Sequence, residues 1–119
     1  MKVSEVMHPD ATWLGPDTPL SSIAAKMREE HTPAVPISEY DRLVGMVTAR
    51  DIEGRGPADA LTARDVMRKP LIYCYPEEDV RDALRIMRKH AVRRLTVVSH
   101  QKRLIGSLTL DDVADKGRA

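Results

Sequence analysis

Two segments of the chain combine residue types that suit a sugar and a phosphate. Each follows the pattern G-x-x-T-x-x-D, over residues 45–51 and again over residues 106–112. A threonine where a strand ends and a helix begins places its hydroxyl beside unpaired main-chain N–H groups, and these donors favour a phosphate oxygen. An aspartate one turn later has oxygens that accept hydrogen bonds from ribose hydroxyls. The pattern therefore predicts two sugar-phosphate sites, with contacts from Thr48, Asp51, Thr109 and Asp112.

The same spelling has a purely structural interpretation. In a capping box, a threonine and an acidic residue three positions later hydrogen-bond each other's main chain at the start of a helix. The letters T-A-R-D recur over residues 62–65 without a glycine-led strand before them, and there we expect only a cap. Each of the other two segments lies between a predicted strand and a predicted helix. Because this whole arrangement occurs twice in the chain, it favours a binding site.

The extended segments that precede the motifs predict a wall for a base. They are Ala34-Val35-Pro36 in the first copy and Arg94-Leu95-Thr96 in the second. A wall of small and apolar residues beside a sugar-phosphate site describes a nucleoside monophosphate. Trp13 and Tyr73 occupy matching positions, where an aromatic ring either stacks on adenine or packs beside the sheet.

The two predicted sites differ in charge. Arg50 is expected to pair with the phosphate of the first site. The matching Asp111 would repel a phosphate unless Arg93 or Arg94 compensates. Thr96 also stands where the first copy has Pro36. We therefore expect the first site to be the better one.

An internal repeat supplies the elements that must position these residues. Val6-Met7 recurs as Val66-Met67, a displacement of 60 positions that grows to 61 at the second motif. Each copy predicts the order β-α-β-β-α, which gives an α+β fold of two pseudo-symmetric repeats. The predicted boundaries are 1–56 and 57–119, with residues 54–57 (Gly-Arg-Gly-Pro) as linker. Because each half is short, we expect the repeats to share one core.

Apolar spacing and polar turns locate the elements. Apolar residues at i, i+3, i+4 and i+7 predict a long helix in each copy, and they are Leu20, Ile23, Ala24 and Met27, then Val80, Ala83, Leu84 and Met87. We expect Asp17 or Thr18 to cap the first helix and Glu77 or Glu78 the second. Hairpins are predicted over residues 34–47 and 95–108, and extended stretches over residues 11–14 and 71–75.

Composition excludes several classes of protein. The 19 Lys and Arg residues and 18 Asp and Glu residues leave a net charge of +1, so nothing favours nucleic acid or a membrane surface as a partner. Cys74 is the single cysteine, and no signal peptide or transmembrane stretch is evident, so we expect a cytoplasmic protein. The four histidines lack metal-ligand spacing, and no nucleophile with a matching base is indicated, so we expect no metal and no catalysis.

The chain resembles the cystathionine-β-synthase (CBS) domains, whose tandem pairs form the Bateman module. The resemblance covers essentially the whole chain. It depends on Ser4-Glu5-Val6-Met7 and Arg64-Asp65-Val66-Met67, on Pro16 and Pro76, on Ala34-Val35-Pro36-Ile37 and on the two G-x-x-T-x-x-D segments. It implies phosphate and ribose contacts from the threonine and aspartate of each motif. The base would contact Thr12, Trp13, Val35 and Pro36, with neighbouring Ala34, in the first copy, and Ile72, Tyr73, Arg94 and Leu95 in the second.

The resemblance also implies a function. The expectation is a stand-alone sensor that binds AMP, ADP or ATP, with S-adenosylmethionine as another candidate, in clefts between the repeats. It has no obligatory cofactor, forms a homodimer with four-helix contacts and acts on an unidentified partner protein. The alternative is a constitutive dimerisation or scaffold module in which the T-x-x-D segments only cap helices.

Overall fold

A computed structural model describes residues 1–9, 13–53, 61–69 and 72–116 of the 119-residue chain. Two compact units make up the chain. The central unit is Trp13–Leu71, and the terminal unit combines Met1–Thr12 with Ile72–Ala119. The predicted linker at residues 54–57, the contact residue Thr12 and most of the extended stretch before Leu14 lie outside the described residues.

The two long helices are present where the apolar spacing predicts them. Helix α1 spans Leu20–Glu30 and helix α4 spans Val80–His90. Three of the four residues of each predicted stripe are buried, namely Leu20, Ile23 and Met27, then Val80, Ala83 and Met87. Short helices complete the set: α2 at Ala49–Ile52, α3 at Ala63–Val66 and α5 at Leu110–Lys116, with a 3-10 turn at Val3–Glu5.

Our predicted caps of the long helices are wrong. The N-cap of α1 is Pro19, which makes no side-chain cap, while the amide of Leu20 donates to the carbonyl of Leu61 at 3.1 Å. The N-cap of α4 is Asp79, whose carboxylate accepts from the Arg81 amide at 2.8 Å. In the first helix a tertiary hydrogen bond therefore replaces the capping side chain that local sequence suggests.

Each unit contains one of the predicted hairpins. Strands β1 (Ala34–Glu39) and β2 (Arg42–Thr48) are antiparallel, with Ala34 beside Thr48. Strands β4 (Arg94–Val98) and β5 (Leu104–Thr109) are antiparallel, and β3 (Tyr73–Cys74) is parallel to β4. Both hairpins shift register at the matching place, after Ile37 and after Val97. The predicted mixture of helices and strands is confirmed.

The opening residues of each sequence copy pack in a different unit from the hairpin of that copy. Residues 1–9 belong to the terminal unit, where the amide of Val3 donates to the carbonyl of Glu78 at 2.8 Å. Residues 61–69 belong to the central unit, where Ala63 and Val66 join the core of α1, β1 and β2. Each G-x-x-T-x-x-D motif therefore shares its unit with the opening segment of the other copy.

Candidate functional site

The first motif lies where β2 passes into α2 in the central unit. Asp51 is almost fully buried, and its Oδ2 accepts from the Thr48 amide at 2.8 Å and from the Thr48 hydroxyl at 2.9 Å. Its Oδ1 accepts from Nε of Arg68 at 2.5 Å. Burial by itself would raise the pKa of Asp51, but the hydrogen bonds from Thr48 and Arg68 outweigh it, so the pKa lies below the usual value. The carboxyl is therefore an anion at neutral pH.

The second motif has the same arrangement where β5 passes into α5 in the terminal unit. Oδ2 of Asp112 accepts from the Thr109 hydroxyl at 2.6 Å, and the Asp112 amide donates to that hydroxyl at 3.1 Å. Nε2 of His8 lies 2.8 Å from Oδ1 of Asp112. Burial would raise the pKa of Asp112, but the contacts with Thr109 and His8 outweigh it and lower the pKa. The side chain is 17% exposed, so it is more accessible than Asp51 at 1%.

The third T-x-x-D segment shows what the cap alone looks like. The Thr62 amide and hydroxyl donate to Oδ2 of Asp65 at 2.8 and 3.2 Å, as in the first motif. Asp65 is exposed, and no hairpin strand leads into it. The capping box is therefore common to all three segments. Among the described residues of these segments, only Asp51 and Asp112 are largely shielded from solvent and also contact a basic side chain that is distant in sequence.

Arg68 and His8 are the residues that sequence reasoning missed. They stand 60 positions apart, the same displacement as the repeat, and this spacing was the available signal. The main chain of each pairs with the outer edge of a hairpin: Arg68 with Met46 at 2.9 Å in both directions, and His8 with Ser107 at 2.8 and 2.9 Å. We call residues 6–8 and 66–68 the edge segments.

The glycine of each motif allows an edge segment to approach. A Cβ at position 106 would lie 2.4 Å from the carbonyl oxygen of His8, and one at position 45 would lie 2.7 Å from Sδ of Met67. Both distances are shorter than atoms tolerate. The three fixed residues of the G-x-x-T-x-x-D pattern therefore have separate structural roles. The glycine leaves room for the edge segment, the threonine caps the helix, and the aspartate contacts Arg68 or His8 of that segment.

The predicted wall is apolar in the central unit. Side chains alternate along β1, so Ala34 and Pro36 lie on the face of Thr48, while Val35 points into the core and is 2% exposed. Met46, the partner of Pro36, lies on the Thr48 face as well. The Val35 side chain, which was predicted to contact the base, is therefore not available to a ligand. The remaining wall of small and apolar side chains suits the face of a base.

The corresponding wall in the terminal unit is polar. Arg94 lies beside Thr109, and its Nη1 donates to the Ser107 hydroxyl at 3.3 Å. Thr96 is buried on the same face, whereas Leu95 points into the core and is 1% exposed. A base stacked here would meet a guanidinium and hydroxyls, so the two walls differ chemically.

The two aromatic residues have different surroundings. The Tyr73 hydroxyl accepts from Nζ of Lys102 at 2.9 Å, and Lys102 also donates to Tyr75 at 2.6 Å. The Lys102 hydrogen bond is the main reason that the pKa of Tyr73 is lowered. Tyr73 is thus held toward the β4–β5 turn. Trp13 is half-buried one residue before Leu14, which pairs with Ile37 of β1, so alternation directs it to the Thr48 face.

The remaining predicted contacts lie near the motifs. Arg50 is exposed on α2, next to the buried Asp51, and Ile72 is half-buried directly before β3. Asp111 pairs with Arg93, whose Nη2 lies 3.6 Å from Oδ1 of Asp111, so the charge of Asp111 has a basic neighbour. Thr12 lies outside the described residues.

Two further features of the described residues concern metal binding and membrane insertion. Within residues 1–9, 13–53, 61–69 and 72–116, no group of three or more His, Cys, Asp or Glu side chains is placed to hold a metal ion. No helix in those residues is long and apolar enough to cross a membrane.

Comparison with known proteins identifies the repeat. The CBS domain model matches residues 3–54 and 63–118. The chain is 33% identical over 120 residues to an uncharacterized protein of Methanopyrus kandleri, of which it spans 61%. It is 35% identical over 116 residues to Hypoxic response protein 1 of Mycobacterium tuberculosis, covering 92% of this chain and 80% of that one.

Solved structures show the same fold. Hypoxic Response Protein I, crystallised with two coordinated zinc ions, superposes with a TM-score of 0.75 at 32% identity and covers 97% of this chain and 98% of that one. A CBSX2 structure in complex with AMP superposes with a TM-score of 0.74 at 20% identity and covers 98% of this chain and 96% of that one. The second likeness shows the fold alone.

Proposed function

Because the chain belongs to the CBS domain family, we propose that it is a regulatory module that binds an adenine nucleotide and catalyses no reaction. The ligand is AMP, ADP or ATP, with S-adenosylmethionine as a further candidate. The phosphate and ribose contact Thr48 and Asp51 in the central unit and Thr109 and Asp112 in the terminal unit. The AMP bound by CBSX2, a protein of the same fold, supports this ligand class.

One observation carries the proposal beyond family membership. In the central unit the half-buried Ala34 and Pro36 lie on the same face of the hairpin as Thr48, which begins α2 beside Asp51, and the buried Met46 backs them on that face. An apolar surface for a base, a hydroxyl for a phosphate and an acidic acceptor for a ribose thus lie at one end of the β1–β2 hairpin, where β2 passes into α2. Arg50 adds a cation for the phosphate, so we rank this site above the one in the terminal unit.

A second candidate function has its own support. Both carboxylates already have hydrogen-bond partners within the protein, and Asp65 shows that the same cap forms without a candidate site. In a constitutive dimerisation or scaffold module, nothing further would be required of Asp51 and Asp112. We propose a homodimer in the cytoplasm in either case. Only the sensor would change its association with a partner protein when nucleotide binds.

Thermal unfolding with nucleotide separates the two candidates. A ligand present at 100 times its Kd stabilises the native state by about 2.7 kcal/mol, which raises the Tm. We expect AMP, ADP or ATP to raise the Tm and Asp51→Asn to remove most of that rise, because the carboxylate that accepts from the ribose is gone. Asp112→Asn should remove less.

Asp65→Asn is the matched control, because it alters the same kind of cap outside both sites. It should leave the ligand-induced rise unchanged. A Tm that stays constant with all three nucleotides and with S-adenosylmethionine would favour the scaffold. Equal losses in Asp51→Asn and Asp112→Asn would contradict the ranking of the two sites.

A further inference from the structure

An apolar groove lies between α4 and α5 of the terminal unit. It has a volume of about 420 Å³, and its apolar lining is Leu84, Met87, Val92, Leu110 and Val113. Two of these residues are buried, but Leu84, Leu110 and Val113 are only half-buried. The exposed Arg88 also lines the groove and forms part of its rim. Open apolar surface with a charged rim marks a place where another molecule binds.

The repeat places a matching surface in the central unit, with smaller side chains. We call α4 with α5 the terminal surface, and α1 with α2, which contact each other, the central surface. Displacements of 60 and 61 positions make Ala24 the counterpart of Leu84 and Ala49 the counterpart of Leu110. Both alanines are half-buried, so the central surface is accessible as well. A terminal surface placed on a central one sets large side chains opposite small ones, which favours close packing.

The two surfaces also differ in charge. On one face of α4, exposed arginines recur at i, i+4 and i+7, namely Arg81, Arg85 and Arg88. The matching positions in α1 are Ser21, Ala25 and Arg28. The first two arginines of α4 pair with Asp79 and Asp82, but no ion pair of Arg88 is found among the described residues. Two terminal surfaces in contact would bring like charges together, which opposes association.

The central surface offers an acidic residue for Arg88. Glu53 directly follows α2, is exposed, and has no ion pair within the part of the chain that the structure describes. Its counterpart in the repeat is Ala114, which lines the terminal groove. The acid therefore stands at the edge of the central surface, where the terminal surface has a neutral residue.

We propose that the terminal groove is covered by the central surface of a second copy of this chain, and that Arg88 pairs there with Glu53 of that copy. The inference rests on the homodimer of the proposed function and adds which surfaces meet. In a two-fold symmetric dimer, residue i contacts residue j and j contacts i, so the pair occurs twice. In the alternative arrangement, like surfaces meet, terminal with terminal and central with central.

Charge reversal in the full-length protein distinguishes the two arrangements. Arg88→Glu and Glu53→Arg each turn the proposed pair into two like charges in both contacts. We therefore expect each variant to raise the dimer Kd, measured by analytical ultracentrifugation, about tenfold. The double variant Arg88→Glu with Glu53→Arg rebuilds the pair with its charges exchanged, so its Kd should return to within about threefold of the wild type. If like surfaces met, the double variant would set glutamate against glutamate and arginine against arginine and would stay weak.

Arg28→Glu is the matched control, because Arg28 holds in α1 the position that Arg88 holds in α4. It removes positive charge from the surface that faces the arginines of α4, so it should not weaken the dimer. If two central surfaces met, Arg28 would be a cation available to Glu53 of the other copy, and its reversal would weaken the dimer. That result would overturn the proposed arrangement.

Leu84→Glu tests whether the groove itself is covered. A charge at this half-buried position would be desolvated by the second copy, so the dimer Kd should rise about tenfold or more. The exposed variant Ser22→Glu, on the first turns of α1, adds the same charge beside the matching row and should raise the Kd less. An unchanged Kd in Leu84→Glu would show that the second copy does not bind in the groove.

The outcomes separate this inference from the function on which it rests. A wild type that stays monomeric would overturn both the homodimer and the inference, and would leave the groove, whose volume suits a small molecule, to another ligand. The nucleotide-induced rise in Tm would still test the sensor. A dimer whose double variant is as weak as the single ones keeps the homodimer and overturns the inference. If a charge reversal prevents folding, Arg88→Gln and Glu53→Gln are combined in a double-mutant cycle, and additive effects would overturn the pairing.

Discussion

Asp51 and Asp112 each combine a helix cap with a contact to a basic side chain that is distant in sequence. The oxygen that caps the helix is Oδ2, and the oxygen that contacts Arg68 or His8 is Oδ1. A cap alone needs only the first oxygen, as Asp65 demonstrates. The sequence predicted these carboxylates through the spacing of threonine and aspartate. It could not predict the partners of these carboxylates, Arg68 and His8, which come from segments distant in sequence and are placed by main-chain pairing with the hairpin edge.

The motif glycines lead to the first prediction. Gly106→Ala should lower the free energy of unfolding by about 1–3 kcal/mol, because its Cβ would lie 2.4 Å from a main-chain oxygen that cannot rotate away. Gly45→Ala should cost less, since the atoms nearest its Cβ belong to the flexible side chain of Met67. Denaturant unfolding measures both.

Gly15→Ala is the matched control for the glycine variants. The nearest atom to its Cβ would be 3.8 Å away, an ordinary contact, so the unfolding free energy should change by less than about 0.5 kcal/mol. Equal losses in Gly15→Ala and Gly106→Ala would show that the close approach of His8 to β5 is not what requires the glycine.

At the scale of elements, the two long helices share their length and their buried face but begin differently. Helix α1 begins at Pro19 with a hydrogen bond from the Leu20 amide to Leu61, whereas α4 begins at Asp79 with a side-chain cap. The apolar stripe is a local property and was predicted correctly. The caps were not, because several acceptors precede each helix and the fold selects which of them, if any, faces the free amides.

The cap of α4 leads to a prediction about acid. The pKa of Asp79 is lowered to about 2, first by the hydrogen bond from the Arg81 side chain and then by the Arg81 amide. A carboxyl whose folded pKa is depressed stabilises the protein above its unfolded pKa, near pH 4, and loses that contribution as the pH falls toward 2. We expect the stability difference between the wild type and Asp79→Asn to shrink over that interval.

Asparagine is itself a good N-cap, so Asp79→Asn should keep most of the helix start at neutral pH while removing the titration. Denaturant midpoints at pH 5, 4, 3 and 2 would measure the difference between the two proteins. Asp65→Asn serves as comparison, because the exposed Asp65 accepts from its own threonine and no ion pair of its side chain is found among the described residues. A difference for Asp79→Asn that stays constant from pH 5 to pH 2 would contradict the proposed role of the carboxylate.

At the scale of the whole molecule, the two sequence copies and the two compact units are divided differently. The domain boundaries predicted from the repeat, 1–56 and 57–119, remain a proposal. The compact units instead assign residues 1–12 to the second hairpin and residues up to 71 to the first. Val6 and Val66 are equivalent in sequence, but Val66 is buried beside α1 and Val6 is buried in the terminal unit.

This exchange leads to the last prediction. Val6→Ala should lower the unfolding free energy by about 1–3 kcal/mol and accelerate amide hydrogen exchange first in the terminal unit, for example in β5. Val66→Ala should do the same in the central unit, for example in β1. Each valine variant is the control of the other. Faster exchange of β1 in Val6→Ala, without a change in β5, would contradict the division of the chain into these units.

The sequence by itself determined the repeat, the helices, the hairpins and the T-x-x-D caps, because each depends on residues within one element or one turn of each other. Only the tertiary structure decided which hairpin each edge segment joins. Val6-Met7 and Val66-Met67 are identical, so local preference cannot choose between β2 and β5. That choice depends on main-chain pairing between distant segments, and it brings Arg68 to Asp51 and His8 to Asp112.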